Sequence, residues 1–123
     1  MRKISLFFLL IFIATATNAQ FKVQNLLCEN LTDPIGLDAQ QPRFSWQLVS
    51  DQRNISQTAY EIIVSSGKST AWKSGKVISD RSVHVPYAGT ALQSGKKYTW
   101  EVRVWDNNGK PSAWSEPAFF QTA

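Results

Sequence analysis

Between Tyr98 and Trp105 the chain reads Tyr-Thr-Trp-Glu-Val-Arg-Val-Trp, and few architectures accept that pattern. In extended backbone Tyr98, Trp100, Val102 and Val104 share one apolar face, and Thr99, Glu101, Arg103 and Trp105 share the other, mostly polar one. A strand that is apolar on one side only needs a second layer to cover it. Upstream, Leu92 and Gly95 precede Tyr98 in Leu-Gln-Ser-Gly-Lys-Lys-Tyr. This is the local pattern of a tyrosine corner, in which a phenol at the start of a strand bonds back to earlier backbone. Downstream, Asp106-Asn107-Asn108-Gly109 supplies turn residues that tolerate positive φ, and Pro111-Ser112-Ala113-Trp114-Ser115 leads toward a last strand. The stretch predicts a hairpin at the centre of a β-sandwich.

The rest of the chain supplies further strands at short spacing. Phe21 to Glu29 is apolar on both faces, so its register is not evident. Asn30 to Gln41 is a turn-rich connection punctuated by Asp33-Pro34-Ile35-Gly36. Arg43 to Leu48 buries Phe44, Trp46 and Leu48, and Thr58 to Ser65 buries Tyr60, Ile62 and Val64. Thr70 to Val77, with Trp72, is predicted as an edge strand. Ser82 to Val85 is predicted to turn Val83 and Val85 inward and His84 outward, with Pro86 as its stop. Leu92 plugs the core from a loop, and Ala118 to Gln121 closes the set. About seven short strands separated by Gly, Pro and Asn predict an all-β fold, a two-sheet sandwich of fibronectin type III or immunoglobulin-like kind. Its core aromatics Trp46, Tyr60, Tyr98 and Trp100 each bury ~150 to 250 Å².

Residues 1–19 are read separately as a signal peptide. Met1-Arg2-Lys3 is basic, Ile4 to Ile13 is almost unbroken apolar sequence, and Ala14 to Ala19 is small and polar. Thr17-Asn18-Ala19 is the favoured cleavage site, with Ala14-Thr15-Ala16 as the other candidate. The apolar run is shorter than the roughly 20 residues that span a bilayer. The expected location is periplasmic or extracellular, with no membrane contact beyond the leader. Removing 19 of 123 residues leaves 104, one domain over 20–123, and lowers the formal charge from +4 to +2. The remaining basic residues are scattered among acids, so no nucleic-acid partner is expected. Cys28 is the single cysteine, which excludes an intrachain disulfide and suits a buried, apolar-like role in the first strand.

The composition offers little chemistry. Glu29, Asp33, Asp38, Asp51, Glu61, Asp80, Glu101, Asp106 and Glu116 are spread over loops and outward strand faces, which reads as solvated surface charge and not as a catalytic pair. His84 is the one histidine, expected exposed, and no zinc spacing accompanies Cys28. The Asp106 to Gly109 turn lacks the distal glutamate of a calcium loop. No catalytic, cofactor or metal residue is therefore assigned, and no cofactor is expected. Two readings remain for the tryptophans. Arg103 stacked on Trp105, near Trp114, braces the last hairpin; alternatively, exposed Trp72, Trp105 or Trp114 is a sugar-stacking platform for a plant polysaccharide.

In order along the chain, Leu27-Cys28-Glu29-Asn30-Leu31, Asp33-Pro34-Ile35-Gly36-Leu37-Asp38 and Pro42-Arg43-Phe44-Ser45-Trp46 resemble the N-terminal sandwich domain of bacterial α-L-rhamnosidases, glycoside hydrolase family 78. Gln57-Thr58-Ala59-Tyr60, Ser74-Gly75-Lys76-Val77, Val85-Pro86-Tyr87, Val102-Arg103-Val104-Trp105-Asp106 and Ser112-Ala113-Trp114-Ser115-Glu116-Pro117 continue the resemblance. It covers nearly the whole chain after the leader. The resemblance implies that further β-domains and an (α/α)6 barrel with the catalytic carboxylates follow in the parent glycosidase, and that these following domains are the partners. It carries no catalytic residue onto this sequence. The expectation is a leader plus a first, non-catalytic module.

Overall fold

The structure, a computed structural model, describes residues 21–123; the signal peptide predicted over residues 1–19 lies outside the described residues. Among the described residues nine strands form two facing sheets: β1 (Phe21–Cys28), β2 (Ile35–Leu37), β3 (Arg43–Ser50), β4 (Gln57–Ser66), β5 (Ser69–Lys73), β6 (Val77–Ile78), β7 (Val85–Pro86), β8 (Lys97–Asp106) and β9 (Ala118–Thr122). One sheet has the order β1-β3-β7; the other runs β2-β9-β8-β4-β5, with β6 also on β4. The predicted sandwich is present, with more and shorter strands than the seven expected.

The alternation in β8 reaches the core as the sequence predicts. Tyr98, Trp100, Val102 and Val104 are buried against Phe44, Trp46, Tyr60, Ile62, Val64 and Phe120. Ring centroids of Phe44 and Trp100 lie 4.4 Å apart, and those of Tyr98 and Phe120 5.3 Å apart. The phenol of Tyr98 accepts the Gln93 N–H at 2.9 Å, completing the tyrosine corner. Trp46 Nε1 donates to Gln57 Oε1 at 2.9 Å, and Gln57 donates to the carbonyls of Ser79 and Arg81.

Four local expectations are corrected. The connection from Asn30 to Gln41 contains strand β2, which pairs parallel with β9 at Ile35–Gln121 and Leu37–Thr122. The edge segment with Trp72 is two strands, because Ser74-Gly75 breaks it before Val77 pairs with Tyr60. Val83 is 56% exposed and not inward, since His84 adopts φ +54° and interrupts the alternation. The strand expected from Ser82 to Val85 is only Val85–Pro86; Pro86 ends it as predicted, as its last residue paired with Arg43 at the sheet edge where no N–H is required. The ambiguous register of β1 also has a cause. A bulge between Gln24 and Leu27, with Asn25 at φ +53°, shifts burial from Phe21 and Val23 to Cys28.

The central pair β4–β8 is finished on both flanks by serines. Ser112 donates its N–H to the Val104 carbonyl (2.7 Å), while its hydroxyl accepts the Val104 N–H (3.0 Å) and donates to the Ala113 carbonyl (2.8 Å). Ser115 treats Val102 alike at 2.9 and 3.0 Å. On the opposite flank, Ser74 treats Ile62 the same way at 3.0 and 2.8 Å and donates to the Gly75 carbonyl. Side-chain hydroxyls thus complete hydrogen bonds that a regular neighbouring strand would have made.

Candidate functional site

On the outer face of β8 the side chains opposite the core meet those of β4 and of the run after the last turn. Arg103 pairs with Glu61 across the β4–β8 ladder, Nη2 to Oε1 at 2.8 Å. Its guanidinium carbon lies 4.9 Å from the Trp105 ring centroid and 4.7 Å from that of Trp114. Lys76 adds a second cation 4.7 Å from the Trp105 centroid. The predicted Arg103–Trp105 stack is therefore one part of a larger ladder, anchored by Glu61. Adjacent outward positions on antiparallel neighbours are the signal by which Glu61 is recognisable; Lys76 comes from a separate strand connection and has none.

The three tryptophans singled out as sugar platforms are not together. Trp105 and Trp114 share Arg103, whereas Trp72 lies on the inner side of β5, 6.3 Å from Phe44 in a stacked arrangement and 5.4 Å from Tyr87 edge-on. Trp114 also lines a groove of about 490 Å³ between β1 and the run 113–118. Val23, Leu26 and Pro117 give the groove apolar walls, and Thr32, Asp33 and Glu116 stand among its polar groups. The groove residues of β1 carry no functional motif, and only the packing of the two sheet edges brings them beside Trp114.

Several carboxylates have structural tasks. The Arg43 guanidinium hydrogen-bonds Glu29 (2.9 Å), the Arg43 N–H adds a second bond (2.8 Å), and together they hold the Glu29 carboxyl below its usual value against a smaller opposing effect of burial. Asp33 accepts the Phe119 N–H at 2.9 Å. Asp106 was expected at the surface but is 3% exposed. Its Oδ1 accepts the N–H groups of Asn108 and Lys110 at 2.8 and 2.9 Å and so fixes the hairpin turn. His84 is half-buried and not free in solvent, with Nε2 2.7 Å from Asn30 Oδ1. Cys28 is buried as expected, and burial, reinforced by the nearby Glu29 charge, pushes its thiol up to about 12. Among the described residues no three His, Cys, Asp or Glu side chains gather closely enough to hold a metal ion.

Comparison with known proteins gives the context. The family described as "Rha78A-like, N-terminal immunoglobulin domain" matches residues 23–123. An α-L-rhamnosidase of Streptomyces avermitilis is 44% identical over 99 residues, covering 76% of this chain and 10% of that protein. One from Formosa agariphila is 37% identical over 97 residues, covering 73% and 10%. The solved structure of the Streptomyces avermitilis α-L-rhamnosidase complexed with L-rhamnose superposes with a TM-score of 0.81 at 42% identity, over 84% of this chain and 10% of the other. That of the α-L-rhamnosidase from Dictyoglumus thermophilum gives 0.79 at 38%, over 82% and 12%. The chain spans about a tenth of the length of the curated relatives it matches.

Proposed function

Because the chain belongs to the Rha78A-like N-terminal immunoglobulin domain family, we propose that it is a secreted, non-catalytic module that packs against the following domains of an α-L-rhamnosidase and helps to fold, solubilise or place them. The observation that carries this reading is proportion: in the relatives the same sandwich is about a tenth of a far longer glycosidase. The chemistry agrees, since Glu29, Asp33, Glu61 and Asp106 serve ion pairs and backbone N–H groups. An inverting or retaining glycosidase needs two carboxyl groups free to face a sugar. Incubating the purified chain with a chromogenic α-L-rhamnoside is expected to release no chromophore; sustained release that co-purifies with the chain and disappears in a core-destabilised Trp100→Ala variant would overturn the non-catalytic reading. Export to the periplasm or beyond is part of the same proposal, and a mature N-terminus at Gln20 in the exported protein is its test.

A second reading, carbohydrate binding by the module itself, is favoured by one observation. Trp114 is held by Arg103 and lines the groove beside polar side chains, and a fixed indole offers a flat apolar surface to a pyranose ring. Affinity electrophoresis on rhamnogalacturonan, with Trp114→Ala beside the parent, tests it; equal mobility in gels with and without polysaccharide removes it.

A further inference from the structure

The described surface exposes four large apolar side chains: Leu31 at 55%, Ile35 at 72%, Ile78 at 78% and Val83 at 56%. Isolated exposed apolar residues are ordinary, but three of these are linked. Leu31 and Ile35 belong to one stretch, the connection from β1 into β2. Val83 reaches it through its neighbour His84, whose ring contacts Asn30. The backbone of this region is also costly. Among the described residues six non-glycine positions have positive φ, and Glu29, Asn30, Asp33 and His84 are four of them. Asn and Asp adopt that conformation readily, whereas Glu29 has no such excuse. The Cys28–Leu31 backbone bonds at 2.9 and 3.0 Å close a tight turn over Glu29 and Asn30, which holds Leu31 at the surface.

The same stretch flanks the last residues of the domain. The Gln121 N–H donates to the Pro34 carbonyl and the Ala123 N–H to the Leu37 carbonyl, both at 2.9 Å. In the relatives the matched domain is N-terminal, and about nine-tenths of the polypeptide lies outside it, so their chain continues from the position of Ala123, alongside Pro34–Leu37. Resting on the reading of the module as a packing domain, we infer that the Glu29–Leu37 connection, with Val83 and His84, is the face on which the next domain of the same polypeptide docks. Leu31, Ile35 and Val83 are its apolar contacts, and the Glu29–Arg43 ion pair, at 2.9 Å, is its polar border.

The test compares amide hydrogen exchange in two settings: this chain alone, and residues 21–123 in place of the matched N-terminal domain of the Streptomyces avermitilis α-L-rhamnosidase. Loss of exchange in the fused protein is expected at 29–37 and 82–85 and not at 77–78. Leu31→Asp combined with Val83→Asp, both at exposed positions, is expected to restore the free-chain exchange there and leave the amides of β8 as slow as before. Protection confined to the groove run 113–118 or to β6 would overturn this site and keep the packing role. Unchanged exchange over the whole module would overturn both.

Discussion

At the scale of single residues the two buried tryptophans facing each sheet differ in one atom. Trp46 Nε1 is bonded to Gln57, whereas Trp100 Nε1 is buried without a hydrogen-bond partner. Truncating either to alanine is expected to cost ~3 to 5 kcal/mol from lost burial and the cavity left behind. The phenylalanine variants should separate them: Trp46→Phe strands Gln57 Oε1, a penalty of about 1 to 3 kcal/mol, while Trp100→Phe removes an orphaned donor. Urea melts giving Trp100→Phe the larger loss would contradict this difference. Cys28 supplies a pH signature. Its folded pKa is raised to about 12 from an ordinary 9.0, so its contribution to stability is complete below pH 9 and is lost as pH rises from there toward 12. A thiol reagent at neutral pH is expected to spare the native protein and to modify it only in denaturant. Glu29 has the opposite sign: its pKa is lowered from 4.5, so its contribution is present above that pH and fades as acid protonates it. Glu29→Gln should flatten the fall of the melting temperature below pH 4.5.

At the scale of elements, the serine-finished flanks of β4 and β8 are a sharper dependence than their irregular backbone suggests. Ser115→Ala leaves the Val102 N–H, in the centre of the sheet, without its acceptor, and is expected to destabilise by about 1 to 3 kcal/mol, well above an exposed Ser→Ala. A melt within 0.5 kcal/mol of the parent, the range of neutral surface changes, would show that water replaces the hydroxyl. The sequence made β3, β4 and β8 legible because each alternates cleanly, and the tyrosine corner because Leu92, Gly95 and Tyr98 stand at fixed offsets. It concealed β2, three residues whose exposed Ile35 and positive-φ Gly36 read as turn, since a parallel edge pairing depends on where β9 arrives. It misplaced Val83 because period-two counting has no way to register a positive φ at His84. In the aromatic ladder, Arg103 and Trp105 were visible as neighbours on one face, while Lys76 and the groove beside Trp114 arise only from the meeting of distant segments.

At the scale of the whole molecule one continuous core joins both sheets, from Phe21 and Val23 of β1 to Phe120 of β9. Unfolding is therefore expected to be a single transition, with near- and far-ultraviolet circular dichroism changing together; separated midpoints would mean that the three-stranded sheet melts alone. The position of β9 has a mechanical meaning. Phe21 opens β1 opposite Ser50, at the end of the sandwich away from Ala123, and β9 is gripped by β8 on one side and β2 on the other. A pull between these two poles runs along the strands, so to release β9 it would have to slide that strand past both partners at once. At the β9 pole such a pull is expected to meet two ladders in shear, whereas at the Phe21 pole it meets only the bulged β1–β3 pairing, so stretching the protein between Phe21 and Ala123 is expected to free β1 before β9.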